Sequence, residues 1–165
     1  LFFLNEMRNH ETEPRFYQEL FSISGYIDFD YAPLEQRAHK LVEHQEAALG
    51  QTKYVLSNLR ATLSKAIVET SIKSYAGFAE YLRGDVRKLL EGVGDEAFQA
   101  RFAKANDALA NEAEQIAKRL KQEWLPRADE ESRGRARALH RRHQVERCET
   151  IGLVRAHAQQ ILDRG

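Results

Sequence analysis

Three groups of side chains in this sequence stand at spacings that could support chemistry. Glu35, His39 and Glu43 recur at i, i+4 and i+8, with His44 and Glu46 beside them. Carboxylates and imidazoles one helical turn apart can share a divalent ion, as in four-helix carboxylate proteins. Such sites also draw Glu-x-x-His pairs from other helices, and the chain contains no Glu-x-x-His. The second group is His140, His143 and Glu146, with Glu149 beyond. A spacing of i, i+3, i+6 drifts by about 60 degrees around a helix, so these three would barely reach one ion, and a tetrahedral zinc would still lack ligands. H-E-x-x-H, which sets two imidazoles one turn apart beside a general base, is absent. His39, Glu43, His140, His143 and Glu146 are therefore weak metal candidates, better read as solvated helix faces with local ion pairs. No cofactor and no catalytic residue is expected.

The third group is the run Arg133, Arg135, Arg137, Arg141, Arg142 and Arg147, opposed within it only by Glu146. Arginines along a helix can neutralise phosphates, with affinity that falls steeply as salt rises. Asp129, Glu130 and Glu131 lie just upstream, and no aromatic residue interleaves to stack on bases, which weighs against nucleic acid. Arg135, Arg137, Arg141 and Arg142 remain the candidates for a nucleic-acid or acidic-partner contact. Tyr26, Phe29 and Tyr31, alternating with Asp28 and Asp30, could line a small groove or simply cap a core. Ser, His and Asp occur, but on no strained elbow or glycine-rich turn, so a hydrolase triad has no support.

Positioning any of these groups falls to helices. At 165 residues the chain fits one domain able to bury a core without disulfides. Twenty-five basic and 25 acidic side chains cancel, so no global field draws it to nucleic acid or membrane. Cys148 is the one cysteine, expected as a small packed helix residue; a reducing, cytoplasmic setting is permitted but not required. No apolar run reaches the roughly 18 residues of a membrane span, and the chain reads as soluble. It opens on Leu1 and stops at Gly165 after an unfinished helical pattern, as expected of a piece of something longer.

Periodicity predicts an all-α fold, an antiparallel up-and-down bundle of about five to six helices. A first helix covers Leu1 to His10, and Pro14 opens a second, short one that Ser24-Gly25 ends. Tyr26 to Tyr31 is a loop or an irregular turn. Asp30 is expected to cap a helix with Leu34, Ala38, Leu41, Gln45, Ala48 and Leu49 on its stripe, stopped by Gly50. Gly50 to Ser64, with Tyr54, Leu56, Leu59 and Leu63, is a short helical segment or an extended linker. The ladder Ile67, Ser71, Ile72, Tyr75, Phe78, Ala79, Leu82, Val86 and Leu89 contains Gly77 and Gly84. Each glycine costs about 1 kcal/mol against alanine, which predicts a close packing contact or a bend. Gly92 and Gly94 close it. Asp95 begins the cleanest helix, through Phe98, Phe102, Ala105, Leu109, Ala113, Ile116 and Leu120, ended by Pro126. Residues 1–128 are thus the bundle core, 129–134 a polar link, and 135–165 a C-terminal Arg-rich helix packing on the same bundle. The Phe98 to Leu120 seam would suit a second copy of the chain as well as an internal partner.

The order of several landmarks resembles the N-terminal helical half of a large bacterial family known as domain of unknown function 885. They are Leu1-Phe-Phe-Leu-Asn-Glu-Met-Arg, Glu13-Pro-Arg-Phe-Tyr17, Arg37-Ala-His-Lys-Leu41, Asn58-Leu59, Ala66-Ile67, the Ala76 to Leu82 stretch and Trp124-Leu125-Pro126-Arg-Ala128. Together they span about three quarters of the chain. The resemblance implies an all-helical relative of zinc metallopeptidases whose H-E-x-x-H helix lies downstream of the matched part. No catalytic residue carries over, because no position here matches that motif, and zinc would belong only to a longer parent. After Arg127 the chain departs from the family, which continues with a glycine and tyrosine segment. Two functional expectations follow: a noncatalytic scaffold contacting a peptide or protein through helix faces, or a stand-alone module docking its Arg135 to Arg147 helix on nucleic acid or an acidic partner.

Overall fold

The computed structural model describes residues 8–129. Leu1–Ala128 and Asp129–Gly165 form two compact units, and the described residues belong almost wholly to the first. His140, His143, Glu146, Cys148 and the Arg-rich run lie outside the described residues, as do Leu1 to Met7 of the first expected helix.

The described chain is all helical, without a strand. It begins with short pieces: α1 (Asn9–Thr12), a 3-10 segment Pro14–Leu20 and α2 (Ser24–Ile27). Pro14 enters the 3-10 segment at its first position, where a missing N–H costs nothing, and Glu13 accepts the Arg15 N–H at 3.3 Å. Ser24-Gly25 does not end a helix as expected. It starts α2, and Gly25 keeps a negative φ, so no left-handed stop is used.

Three long helices follow, with smaller pieces between them. They are α3 (Leu34–Leu49), α4 (Lys53–Ser57), α5 (Lys65–Tyr81), α6 (Arg87–Leu89) and α7 (Glu96–Arg119). A π-helical turn, Leu82–Val86, joins α5 to α6; another, Leu120–Trp124, extends α7 into a 3-10 turn at Leu125–Arg127. Asp95 caps α7 by accepting the Phe98 N–H at 2.8 Å, the arrangement its position predicts. Gly92 and Gly94 stand at φ 75° and 72°, where a side chain is strained. A Cβ at Gly94 would also come within 2.9 Å of the Phe98 ring.

The core gathers on α7, which packs against both α5 and α3. Phe98, Phe102, Ala105, Leu109, Ala113, Ile116 and Leu120 are all buried, so inside this chain the seam already has partners. Hydrogen bonds fix the sense of each pair. The Trp124 indole donates to the Arg60 carbonyl at 2.9 Å, Asn106 to the Leu82 carbonyl at 2.8 Å, and Gln99 to the Leu90 carbonyl at 2.9 Å. Sequence order reverses across these contacts, so α5 and α7 run antiparallel. Between α3 and α7 it is preserved: His39 meets Phe98, and Gln45 meets Asn106. Burying each large apolar side chain contributes roughly 1.5–3 kcal/mol, so the α5–α7 contact carries much of the stability.

Two expectations on α5 need correction. The inward ladder runs Val68, Ser71, Tyr75, Ala79, Leu82, Val86 and Leu90; Ile67 is only partly covered and Leu89 is exposed. A π turn holds more residues than an α turn, so steps of four persist through Leu82–Val86 and the inward position arrives at Leu90. Gly84 lies within that wide turn. Gly77 has no close packing contact, because a Cβ there would meet nothing within 4 Å.

Candidate functional site

The first metal candidate does not assemble. His39 is exposed with its ring edge-on to Phe98, centroids 4.6 Å apart. Glu43 pairs with Lys40 at 2.7 Å, and Glu46 accepts from Arg101 at 2.8 Å. The Lys40 hydrogen bond holds the Glu43 carboxyl below its ordinary pKa, and Arg101 does the same for Glu46. His44 turns away, its Nε2 3.2 Å from the Leu20 carbonyl oxygen and its ring beside Tyr26. Glu35 is exposed. Among the described residues no three His, Cys, Asp or Glu side chains converge on a point where an ion could sit, so this donor set does not fit zinc.

Arg37 is the polar residue the sequence reading undervalued. It sits on the apolar stripe of α3, buried to 5% exposure, one position before Ala38. Its guanidinium donates to the carbonyls of Ala32 (2.8 Å), Tyr26 (2.9 Å) and Ile27 (3.1 Å), and to the Asp30 carboxylate (2.7 Å). The planar fork of donors suits this many acceptors in one place. Asp30 is therefore an anchor for Arg37, while Pro33 occupies the cap position of α3 without a side-chain bond. The brace orders the turn between α2 and α3, and Phe29 and Tyr31 project from that turn into solvent. The available signal was an arginine at an inward helical position just after an acidic, aromatic loop.

A second polar cluster holds the centre. Gln45 Nε2 donates to Asn106 Oδ1 at 2.9 Å, and Asn106 Nδ2 donates to the Leu82 carbonyl at the start of the π turn. Both side chains are fully buried and link α3, α7 and α5. Nearby, burial pushes the Tyr75 hydroxyl well above its ordinary range, and it donates to the Pro14 carbonyl at 2.7 Å.

One concave surface among the described residues is a shallow groove of about 340 Å³ lined by Gln18 from the 3-10 segment and by Ser74, Gly77, Phe78 and Tyr81. These four α5 residues fall at i, i+3, i+4 and i+7, one face of the helix. Gly77 forms the low point, and Phe78 is anchored beneath by Phe21, ring centroids 6.1 Å apart. Burial raises the Tyr81 phenol pKa, and the charges of Asp28 and Asp85 raise it further.

Among the described residues every arginine is engaged. Arg8 and Arg60 share Glu11, Arg15 holds Glu13, and Arg37 holds Asp30. Arg83 pairs with Glu114, Arg87 with Asp107, Arg101 with Glu46 and Arg119 with Glu123, while Arg127 lies over the Trp124 ring. No helix of the described residues is long and apolar enough to cross a membrane. The described unit thus offers a shallow groove and a braced aromatic loop, without a converging reactive centre. Comparison of the chain with protein-family profiles, with curated proteins and with solved structures found no match.

Proposed function

We propose that this chain is a noncatalytic helical scaffold, the N-terminal part of a metallopeptidase-like protein, that contacts a peptide or protein partner through a helix face. One observation carries the noncatalytic reading. Four buried polar side chains of the described unit, Arg37, Gln45, Asn106 and Tyr75, donate to backbone carbonyls or to one another and hold elements in place, while Ser71 Oγ and Gln45 Oε1 are buried without a hydrogen-bond partner. None is aimed at a point where a reacting atom could lie beside a nucleophile and a base. The groove on α5 supplies a surface for contact. The link to a metallopeptidase-like parent rests on the ordered sequence landmarks from Leu1 to Ala128.

The test is incubation of the purified 165-residue chain with unstructured peptides, with and without added zinc. Intact peptides in both conditions are expected. Cleavage that a chelator abolishes would overturn the reading and restore an enzyme.

A further inference from the structure

We infer that the turn from Asp28 to Tyr31 docks an arginine-bearing segment of a partner protein, with guanidinium groups lying across the Phe29 and Tyr31 rings and pairing with the carboxylates beside them. The inference goes beyond the scaffold reading and does not depend on it.

Presentation of the rings is the first argument. Phe29 and Tyr31 are 65% and 60% exposed, the two most exposed large apolar side chains among the described residues. Leaving them in water forgoes the burial energy of two aromatic side chains. The turn that carries them is nevertheless held. Arg37, itself buried, bonds the Tyr26, Ile27 and Ala32 carbonyls on either side of the turn and the Asp30 carboxylate within it. A turn fixed before binding loses less conformational freedom when a partner arrives, so more of the contact energy appears as affinity.

The chemistry around the rings is the second argument, and it selects the partner. Residues 16–36 contain Glu19, Asp28, Asp30 and Glu35 and no Lys, Arg or His. Asp28 adjoins Phe29, and Glu35 stands in the first turn of α3 just beyond Tyr31; both are exposed and have no ion pair among the described residues. Neighbouring elements do not cancel them. α3 and α7 run in the same sense, with His39 beside Phe98, so the residues that precede α7 lie at the same end of the unit. They add exposed Glu91, Asp95 and Glu96, while Arg87 is already paired with Asp107 and the cationic groups left at that end are exposed Lys88 and His39. Carboxylates in excess select a cation. Aromatic faces beside carboxylates favour guanidinium over ammonium, because the planar, weakly hydrated guanidinium can stack on a ring while its edge donates to an oxygen. The chain makes both contacts within itself: Arg127 lies over the Trp124 ring at 4.8 Å, and Arg37 donates to Asp30 at 2.7 Å.

The experiment titrates the isotope-labelled 165-residue chain with three unstructured synthetic peptides of equal length, in which serine alternates with arginine, with lysine or with glutamate. Amide chemical shifts locate binding, and anisotropy at two salt concentrations measures it. The arginine peptide is expected to bind, to weaken as salt rises, and to shift the amides of residues 28–32; the lysine peptide should bind more weakly and the glutamate peptide not at all. Phe29→Ser with Tyr31→Ser should weaken the arginine peptide by roughly tenfold, since each cation–ring contact at an exposed site is worth a few-fold. Both rings project into solvent, so the circular dichroism spectrum should stay unchanged. As a second variant, Asp28→Asn with Glu35→Gln should weaken binding and flatten its salt dependence. Equal affinity for the arginine and lysine peptides, or undiminished binding by the variant without rings, would reduce the contact to unspecific charge and overturn the inference. An unchanged salt dependence in the second variant, shifts confined to another surface, or no binding at all would overturn it too. Concentration-dependent dimerisation that Phe29→Ser with Tyr31→Ser abolishes would name a second copy as the occupant and likewise refute the arginine-bearing partner.

Discussion

A guanidinium withdrawn from water must find acceptors for its donors, and Arg37 finds them in the turn that precedes its own helix. Three are backbone carbonyls, which would otherwise need water or another donor. Arg37→Met keeps the aliphatic stem but strands those carbonyls, so urea unfolding should show a loss of about 2–4 kcal/mol. Hydrogen exchange should quicken between residues 26 and 32 beyond that global loss. Asn106 obeys the same logic with a different remedy. Asn106→Ala leaves both the Gln45 amide and the Leu82 carbonyl without a partner, and should cost about 2–4 kcal/mol by the same measurement. Replacing Gln45 and Asn106 together by leucine removes the stranded amide, so the double variant should recover part of that loss.

At the scale of elements, two glycines in different backbone conformations should respond in opposite directions to the same change. Gly77 lies in the α5 helix with open space where a Cβ would go, so Gly77→Ala should raise stability by about 0.5–1 kcal/mol. Gly94 sits at φ 72° with the Phe98 ring in the way, so Gly94→Ala should lower stability by more than that gain. Thermal melts of the two variants side by side decide the matter. A rise for both would mean that Gly94 can relax to negative φ and that Phe98 can move aside. The π turns belong to this scale as well. Each stands at the end of a long helix and is packed against the other long helix, and the Asn106 amide occupies the first carbonyl of one of them. A wide turn needs such support because its ladder is less well formed than an α-helix.

For the whole molecule, the balance of charge sets the response to pH. Glu43, Glu46 and Glu123 are held below the usual carboxylate pKa by hydrogen bonds from Lys40, Arg101 and Arg119 respectively. A carboxyl whose folded pKa is depressed contributes stability above its unfolded value of about 4.5 and loses it as pH falls through the folded value. The urea midpoint should therefore be lower at pH 3 than at pH 6. These pairs are exposed to solvent, so added salt should weaken them at pH 6 and narrow the difference. A midpoint that rose on acidification would contradict the assignment.

Much of the helical plan could be read from residue spacing alone. The Phe98 to Leu120 stripe, the Asp95 cap and the Gly92 and Gly94 stop depend on neighbours within one or two turns, and local periodicity carries that information. Other features depended on residues distant in sequence. Asp30 reads as a cap until α3 places Arg37 beside it. Asn106 looks like a polar interruption until Gln45 and Leu82 arrive, 61 and 24 residues away. The shift from Leu89 to Leu90 follows from a π turn that alters the phase of the helix, and helical periodicity assumes a constant phase. Likewise Glu35, His39 and Glu43 share a helix face by spacing, and Lys40 lies within one turn of Glu43, but only the packed structure supplied Phe98 beside His39 and Arg101 beside Glu46. By itself the sequence determined where the long helices lie and, apart from the phase change at Leu82–Val86, most of their apolar faces. Tertiary structure decided which polar groups are buried and where a groove remains, because burial depends on what arrives from elsewhere in the chain.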